Sequence, residues 1–167
     1  SAARLITINT TTGAATIGKS LGLNLPTSAA YNVDFNPSAD RLRVISTTGL
    51  NLRIDVDMGI TNIDGMLNTT DPQLTGFKIG ASAYTNNFSG MAVTQLFNID
   101  LTNAALALQA PPNDGTQVSQ GILQSGGANA AFNRATLDII GGANGLPLLS
   151  IATDTGASNL FTFVIPA

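Results

Sequence analysis

Hydrophobic and polar residues alternate along several short segments of the chain, which is the pattern of β-strands with one buried face. The clearest case is residues 51–57, where leucine, isoleucine and valine alternate with arginine and aspartate. Similar runs occur at residues 4–9, 95–100 and 159–165, and turn-forming residues separate them. The pattern therefore predicts an all-β fold with no α-helix beyond a single turn.

The strand runs recur as a unit. Leu5, Leu52, Leu96 and Leu160 hold equivalent places in four of these runs, at spacings of 47, 44 and 64 residues. The first two spacings fit a propeller blade of four strands. We therefore expect a propeller-like array of four-stranded antiparallel blades, with about three full blades plus partial terminal blades.

The predicted organisation is a single β repeat domain over residues 1–167. It comprises a partial blade at residues 1–20, blades at 30–65 and 78–123, and a partial blade at 135–167. Closed propellers have at least about four blades, so this array is expected to leave strand edges open. Bare edges are templates for pairing with another chain.

Composition narrows the function classes. Only 10% of residues are charged, the net charge is −3, and Glu, His, Cys and Trp are all absent. Low charge with many Thr and Asn residues is unlike a cytosolic enzyme and suits an extracellular β-protein. The net negative charge argues against nucleic acid binding through a basic patch. The lack of any long apolar run argues against a membrane-spanning helix.

Residues for catalysis are scarce. Without His, Cys or Glu, the remaining options are aspartate pairs, a Ser–Lys pair or tyrosine. Asp34 with Asp40 is the pair that a glycosidase would use, although Asp40 also fits a turn before Arg41. The segment from Asp55 to Gly59 has a faint likeness to a calcium loop but lacks its length and closing Glu. We therefore expect no enzyme activity, no cofactor and no metal site.

Charged residues cluster on two neighbouring strands. Arg41 and Arg43 lie on one face of their strand, and Arg53, Asp55 and Asp57 lie on one face of the next. Antiparallel pairing would make them a cross-strand charge ladder that fixes the register. A site for an anion or glycan is the alternative interpretation.

Several longer segments resemble a bacterial family described as domain of unknown function 4394. The segments that carry the resemblance are residues 34–46, 48–53, 64–68, 83–90 and 111–116. The resemblance runs over nearly the whole chain and implies a secreted, propeller-like β fold. The resemblance gives no indication of an activity, because the function of the family is not described.

The leading hypothesis is an extracellular or cell-surface protein that assembles with itself, as the subunit of a fibre, sheath or matrix. Its terminal strands would complete the partial blade of the next copy. The predicted assembly residues are Leu5, Ile6, Ile8, Leu160, Phe161, Phe163 and Ile165. The alternatives are a monomeric secreted module that binds a glycan or a surface protein, and an Asp-dependent hydrolase.

Overall fold

In the part of the chain that the computed structural model describes, the secondary structure consists of fifteen β-strands and one 3₁₀ turn at Pro72–Leu74. The structure describes residues 2–88, 90–141, 145–154, 156 and 158–165. Within these residues there is no α-helix, and none of them forms a helix that is long and apolar enough to cross a membrane. The all-β expectation is confirmed.

The strands form antiparallel sheets of two, three or four strands, each connected in chain order. The N-terminal hairpin is β1 (Arg4–Ile8) and β2 (Ala15–Ser20), and the first sheet is β3 (Tyr31–Asn36), β4 (Arg41–Ser46), β5 (Asn51–Asp55) and β6 (Ile60–Ile63). The second sheet is β7 (Ile79–Tyr84), β8 (Leu96–Asp100), β9 (Ala105–Gln109) and β10 (Gln117–Ile122). A small hairpin, β11 (Gln124–Ser125) and β12 (Ala128–Asn129), precedes the third sheet of β13 (Arg134–Ile139), β14 (Pro147–Ala152) and β15 (Asn159–Phe161).

Asn and Asp side chains start many of the strand turns. In four of them a side-chain oxygen at the end of the strand accepts hydrogen bonds from backbone N–H groups two or three residues further on. The four residues are Asn9, Asn36, Asp55 and Asp100. Because this geometry closes the turn locally, the short polar side chains between the hydrophobic runs set where each strand ends.

The sheets pack face to face through apolar clusters. Leu5 of the N-terminal hairpin packs on the first sheet with Leu52 and Ile54. Other clusters join the first sheet to the second and the second to the third, where Phe97 and Leu149 meet. The molecule is therefore a succession of four layers in chain order.

The three larger sheets contact one another mainly through their first strands, β3, β7 and β13. Strand β7 packs against β3 on one side and against β13 on the other. Neighbouring first strands are what a common axis would require. The two four-stranded antiparallel sheets are confirmed, whereas closure into a propeller stays a prediction.

The predicted segments contain two, four, four and three strands respectively, and β13 begins one residue before the last of them. The segment at 135–167 includes residues 142–144, 155, 157, 166 and 167, which lie outside the described residues. Their part in a terminal blade is not addressed by the structure.

Candidate functional site

Arg43 is the buried cation among the described residues, with 2% of its surface exposed. Its Nε donates to Tyr84 Oη (3.1 Å) and its Nη1 donates to Asn51 Oδ1 (2.8 Å) and Asp64 Oδ2 (2.6 Å). Its Nη2 donates to Asn113 Oδ1 (2.8 Å). All three guanidinium nitrogens are therefore occupied by groups of the chain itself.

Asp64 neutralises two arginines that face each other. Arg43 of β4 and Arg53 of β5 are direct cross-strand partners, a placement that is destabilising for like charges. Asp64 Oδ2 accepts from both, and its Oδ1 accepts a second bond from Arg53. Burial by itself raises the pKa of Asp64, but the hydrogen bonds and charges of Arg53 and Arg43 outweigh it and leave that pKa below its usual value.

A loop from the second sheet completes this cluster. Residues 111–116, between β9 and β10, lie beside residues 64–68, and Gly65 N donates to Asn113 O (2.9 Å). Asn51 Nδ2 donates to the carbonyl oxygens of Gly65 and Pro112, both at 3.1 Å. A Cβ at Gly65 would lie 2.7 Å from Asp114 O, so the close approach requires glycine.

Buried amides extend the cluster into the second sheet. Gln109 Nε2 donates to Pro112 O at 2.6 Å, and Gln109 Oε1 accepts from Asn98 Nδ2 and Gln117 Nε2. We call the whole set the polar junction; its members are Arg43, Asn51, Arg53, Asp64, Tyr84, Asn98, Gln109, Asn113 and Gln117. Asn98 Oδ1 is buried without a hydrogen-bond partner, but the other contacts named here are made, and a buried polar network of this kind fixes the geometry between two sheets.

The family-like segments thus meet in space. Asp64 and Gly65 come from one segment, Tyr84 from another and Asn113 from a third. The sequence analysis did not connect them, because nothing in a single sequence says that a loop 47 to 52 residues further on lies beside residue 64. The resemblance segments are the sequence signal that could have connected these residues, because three of the segments contribute to the polar junction.

The predicted charge ladder is divided between two places. Arg41 pairs with Asp55 at 3.1 Å on a partly exposed surface, whereas Arg43 and Arg53 both pair with Asp64. Asp57 forms no ion pair within the described part of the chain. A solvated ladder does not describe Arg43, because its guanidinium is enclosed by the loop from the second sheet.

The proposed carboxylate pair has different neighbours from those expected. Asp34 Oδ2 accepts Tyr84 N (2.6 Å) and Asp34 Oδ1 accepts Phe35 N (2.8 Å). Burial raises the pKa of Asp34, the two backbone hydrogen bonds oppose the shift, and the neighbouring carboxylate is Asp138. Asp40 lies in the β3–β4 turn with φ of 50°. Asp34 therefore ties β3 to β7, and the side chain that caps the turn is Asn36.

The calcium-like segment is a turn. Asp55 Oδ1 accepts Met58 N (2.9 Å), and Gly59 has φ of 73°. No group of three or more acidic, His or Cys residues that could hold a metal ion occurs in the described ranges.

The predicted assembly residues divide by face. Ile6 and Ile8 are 58% and 62% exposed, and Leu160 is also exposed. Leu5 packs on the first sheet, whereas Phe161, Phe163 and Ile165 pack on the core between the second and third sheets. The inward-facing residues are therefore already used within the chain, and the outward-facing ones are open.

Two clefts on the surface of the molecule lie beside these sheets. The first, which we call the open groove, has a volume of about 720 Å³ and lies between the N-terminal hairpin and the first sheet, where Ile6, Ile17 and Phe35 border it. The second, the polar cleft, has a volume of about 410 Å³ and lies where β3, β7 and β13 begin.

These features define an all-β domain of stacked antiparallel sheets, joined by a buried polar junction. The chain belongs to the family described as Domain of unknown function (DUF4394), whose model matches residues 1–164. No curated protein and no solved structure matches the chain.

Proposed function

We propose that the protein is an extracellular structural subunit that assembles head to tail. The N-terminal hairpin of one copy joins the third sheet of the next copy at the edge of β15, and the two together form one composite sheet. The low-charge surface rich in Thr and Asn supports the extracellular setting. The observation that supports assembly is that apolar residues are exposed at both ends of the stack of sheets, where those of one copy could cover those of the next.

At one end the third sheet is a strand narrower than the sheet it covers. Ala83, Phe97, Leu108 and Val118 are successive cross-strand partners on the covered face of the second sheet. Ala83 and Phe97 are each 1% exposed, Leu108 is half-buried and Val118 is 41% exposed. Because exposure rises toward β10, a further strand beside β15 is what this face lacks.

At the other end the N-terminal hairpin leaves the beginning of the first sheet uncovered. Val33 and Phe35 on β3 are 60% and 43% exposed. The open groove lies along Phe35 and Leu42, beside the hairpin. Strands from a second copy would fill this space, because sheets in the rest of the molecule pack face to face.

The hairpin itself carries the complementary surface. Ile6 pairs directly with Ile17, and Ile8 lies on the same face. These three residues are 58%, 70% and 62% exposed, and Ile6 and Ile17 also border the open groove. In the composite sheet they would lie toward Val118 of the other copy, whereas Leu160 would lie toward Val33 and Phe35.

The exposed isoleucines supply part of the free energy that assembly requires. Full burial of an Ile side chain stabilises by about 1.5–3 kcal/mol, and more than half of each of the three isoleucines is still exposed. Their burial together contributes roughly 3–5 kcal/mol. Backbone hydrogen bonds along β15 add the specificity of strand addition. Such a heterologous contact extends into a filament when the rotation between copies does not close a ring.

The test compares aspartate substitutions at matched exposed positions. Ile17→Asp and Val118→Asp place a carboxylate inside the proposed contact, whereas Val93→Asp places one on the loop between β7 and β8, where Val93 is similarly exposed. Light scattering after size exclusion measures the mass of each variant over a concentration series, and circular dichroism verifies folding.

Wild-type protein and Val93→Asp are expected to show a mass that rises with concentration. Ile17→Asp and Val118→Asp are each expected to weaken association at least tenfold, because an unpaired carboxylate is costly to bury. A monomeric wild type at all concentrations contradicts the proposal. Closure of the hairpin onto the third sheet of its own chain would give that monomeric result.

A further inference from the structure

The polar cleft differs in chemistry from the rest of the surface. It lies at the starts of β3, β7 and β13, on a separate part of the molecule from the hairpin and the edge of β15. The polar residues that line it include Asn32, Thr47, Lys78, Asn133, Arg134 and Thr136. None of the residues lining it carries a carboxylate, although the chain as a whole has a net charge of −3.

The cation that faces the cleft without a counter-charge is Lys78. Arg134, the other cation of the wall, pairs with Asp154, and Asn133 Nδ2 donates to the same carboxylate. Asp100 lies near Lys78, but its Oδ1 accepts the backbone N–H of Lys78 and its Oδ2 accepts Asn103 Nδ2. The ammonium group of Lys78 has no ion-pair partner within the described ranges.

The other polar groups are uncharged hydrogen-bonding groups. Thr47 Oγ1 accepts from Ala30 N (3.1 Å), which leaves its hydroxyl proton for another acceptor. Asn32 Nδ2 is buried with no hydrogen-bond partner. The Tyr31 side chain packs on the apolar cluster of the first sheet, and its hydroxyl donates to Pro26 O (2.8 Å). Hydroxyls and amides beside a lysine match a polyhydroxylated acidic ligand better than a bare anion.

We propose that the polar cleft binds an acidic saccharide, with a uronate carboxylate on Lys78 and sugar hydroxyls on Asn and Thr side chains. The volume of about 410 Å³ lies in the range of small-molecule sites, roughly 300–1,000 Å³. The assembly contact uses other residues, so binding and assembly succeed or fail independently.

The experiment measures binding of tri-galacturonic acid by isothermal titration calorimetry. It uses the Ile17→Asp chain, so that assembly does not contribute heat, and neutral galactotriose is the comparison ligand. Lys78→Met removes the proposed cation, and Lys19→Met removes the other lysine of the chain, which lies on β2.

The acidic trisaccharide is expected to bind saturably and galactotriose at least tenfold more weakly. Lys78→Met is expected to reduce affinity at least tenfold, and Lys19→Met to leave it unchanged. Absence of saturable binding overturns the proposal, as does equal affinity for the neutral sugar or an equal loss in both lysine variants. Inorganic phosphate that binds as tightly as the trisaccharide also overturns it, because the cleft would then be a simple anion site.

Discussion

Asp64→Asn is the sharpest test of the polar junction. The substitution keeps the size of the side chain and removes the charge that lies between Arg43 and Arg53. The native carboxylate accepts three hydrogen bonds, at 2.6 Å from Arg43 and at 2.7 and 2.9 Å from Arg53. An amide has one oxygen to accept with, and its NH₂ group faces guanidinium donors.

The expected cost follows from the burial of the partners. Loss of one member of a buried ion pair costs about 3–5 kcal/mol. Arg43 is 2% exposed, but the Arg53 side chain is 33% exposed, so solvent screens part of its interaction. We therefore expect a loss of about 3 kcal/mol, which lowers Tm by roughly 6–12 °C for a chain of this size.

The assay is urea denaturation followed by far-UV circular dichroism, with thermal melting alongside. Asp154→Asn is the control, because its pair with Arg134 is mostly exposed on both sides and is expected to contribute less than about 1 kcal/mol. In the double variant Arg43→Met with Asp64→Asn, part of the cost should disappear, since the buried cation is gone. A loss in Asp64→Asn no larger than in Asp154→Asn would refute the role given to the junction.

Three further predictions concern the same interior. The pKa of Asp64 lies below its ordinary value of 3.8, so the stabilisation that the ionised carboxylate gives the folded state is present above that pH and is lost as pH falls. The stability difference between wild type and Asp64→Asn should therefore shrink below about pH 4. The pKa of Asp34 is raised, so the pH dependence has the opposite sign: relative to Asp34→Asn, the wild type should lose stability as pH rises from below 3.8 through the raised pKa. Chemical denaturation in buffers across the acid range measures both trends, and a stability difference that does not change with pH would contradict the corresponding prediction. Gly65→Ala should cost about 1–3 kcal/mol, because the new Cβ would lie 2.7 Å from Asp114 O; an unchanged denaturation midpoint would contradict the close approach.

Local patterns were enough to predict the strands. Alternation over residues 51–57 reports one buried face, and β5 has Leu52 and Ile54 buried as the pattern requires. Turn chemistry acts over two or three residues, but the strand ends were placed less well: alternation continued to residue 57 where β5 ends at Asp55, and the turn before Arg41 is capped by Asn36 and not by Asp40. These signals lie within a few residues of each other, where the sequence is informative.

The site depended on distant neighbours. Arg41 and Asp55 lie on adjacent strands, and their pairing follows from the antiparallel register. The partner of Arg43 and Arg53 is Asp64, just past the end of β6, and the cover over Arg43 comes from Asn113 in the loop between β9 and β10. Alternation gives no information about packing between sheets, so an arginine predicted to be solvated is in fact enclosed.

The terminal strands also show that a strand pattern does not reveal how the sheets pack on one another. Alternation separates Leu5 from Ile6 and Ile8, but only the packing of the layers shows which face is covered. Exposure of Val118 follows from the third sheet having one strand fewer than the second. That mismatch is a property of two sheets together, which the strand pattern alone does not contain.

Hydrogen–deuterium exchange as a function of protein concentration tests the composite sheet most directly. Amides of β1 (Arg4–Ile8) and β15 (Asn159–Phe161) should gain protection as concentration rises, because strand addition engages backbone groups at both edges. Amides of β4 (Arg41–Ser46), inside the first sheet, should not change. Exchange of β1 and β15 that stays constant from micromolar to millimolar protein would contradict assembly through these strands.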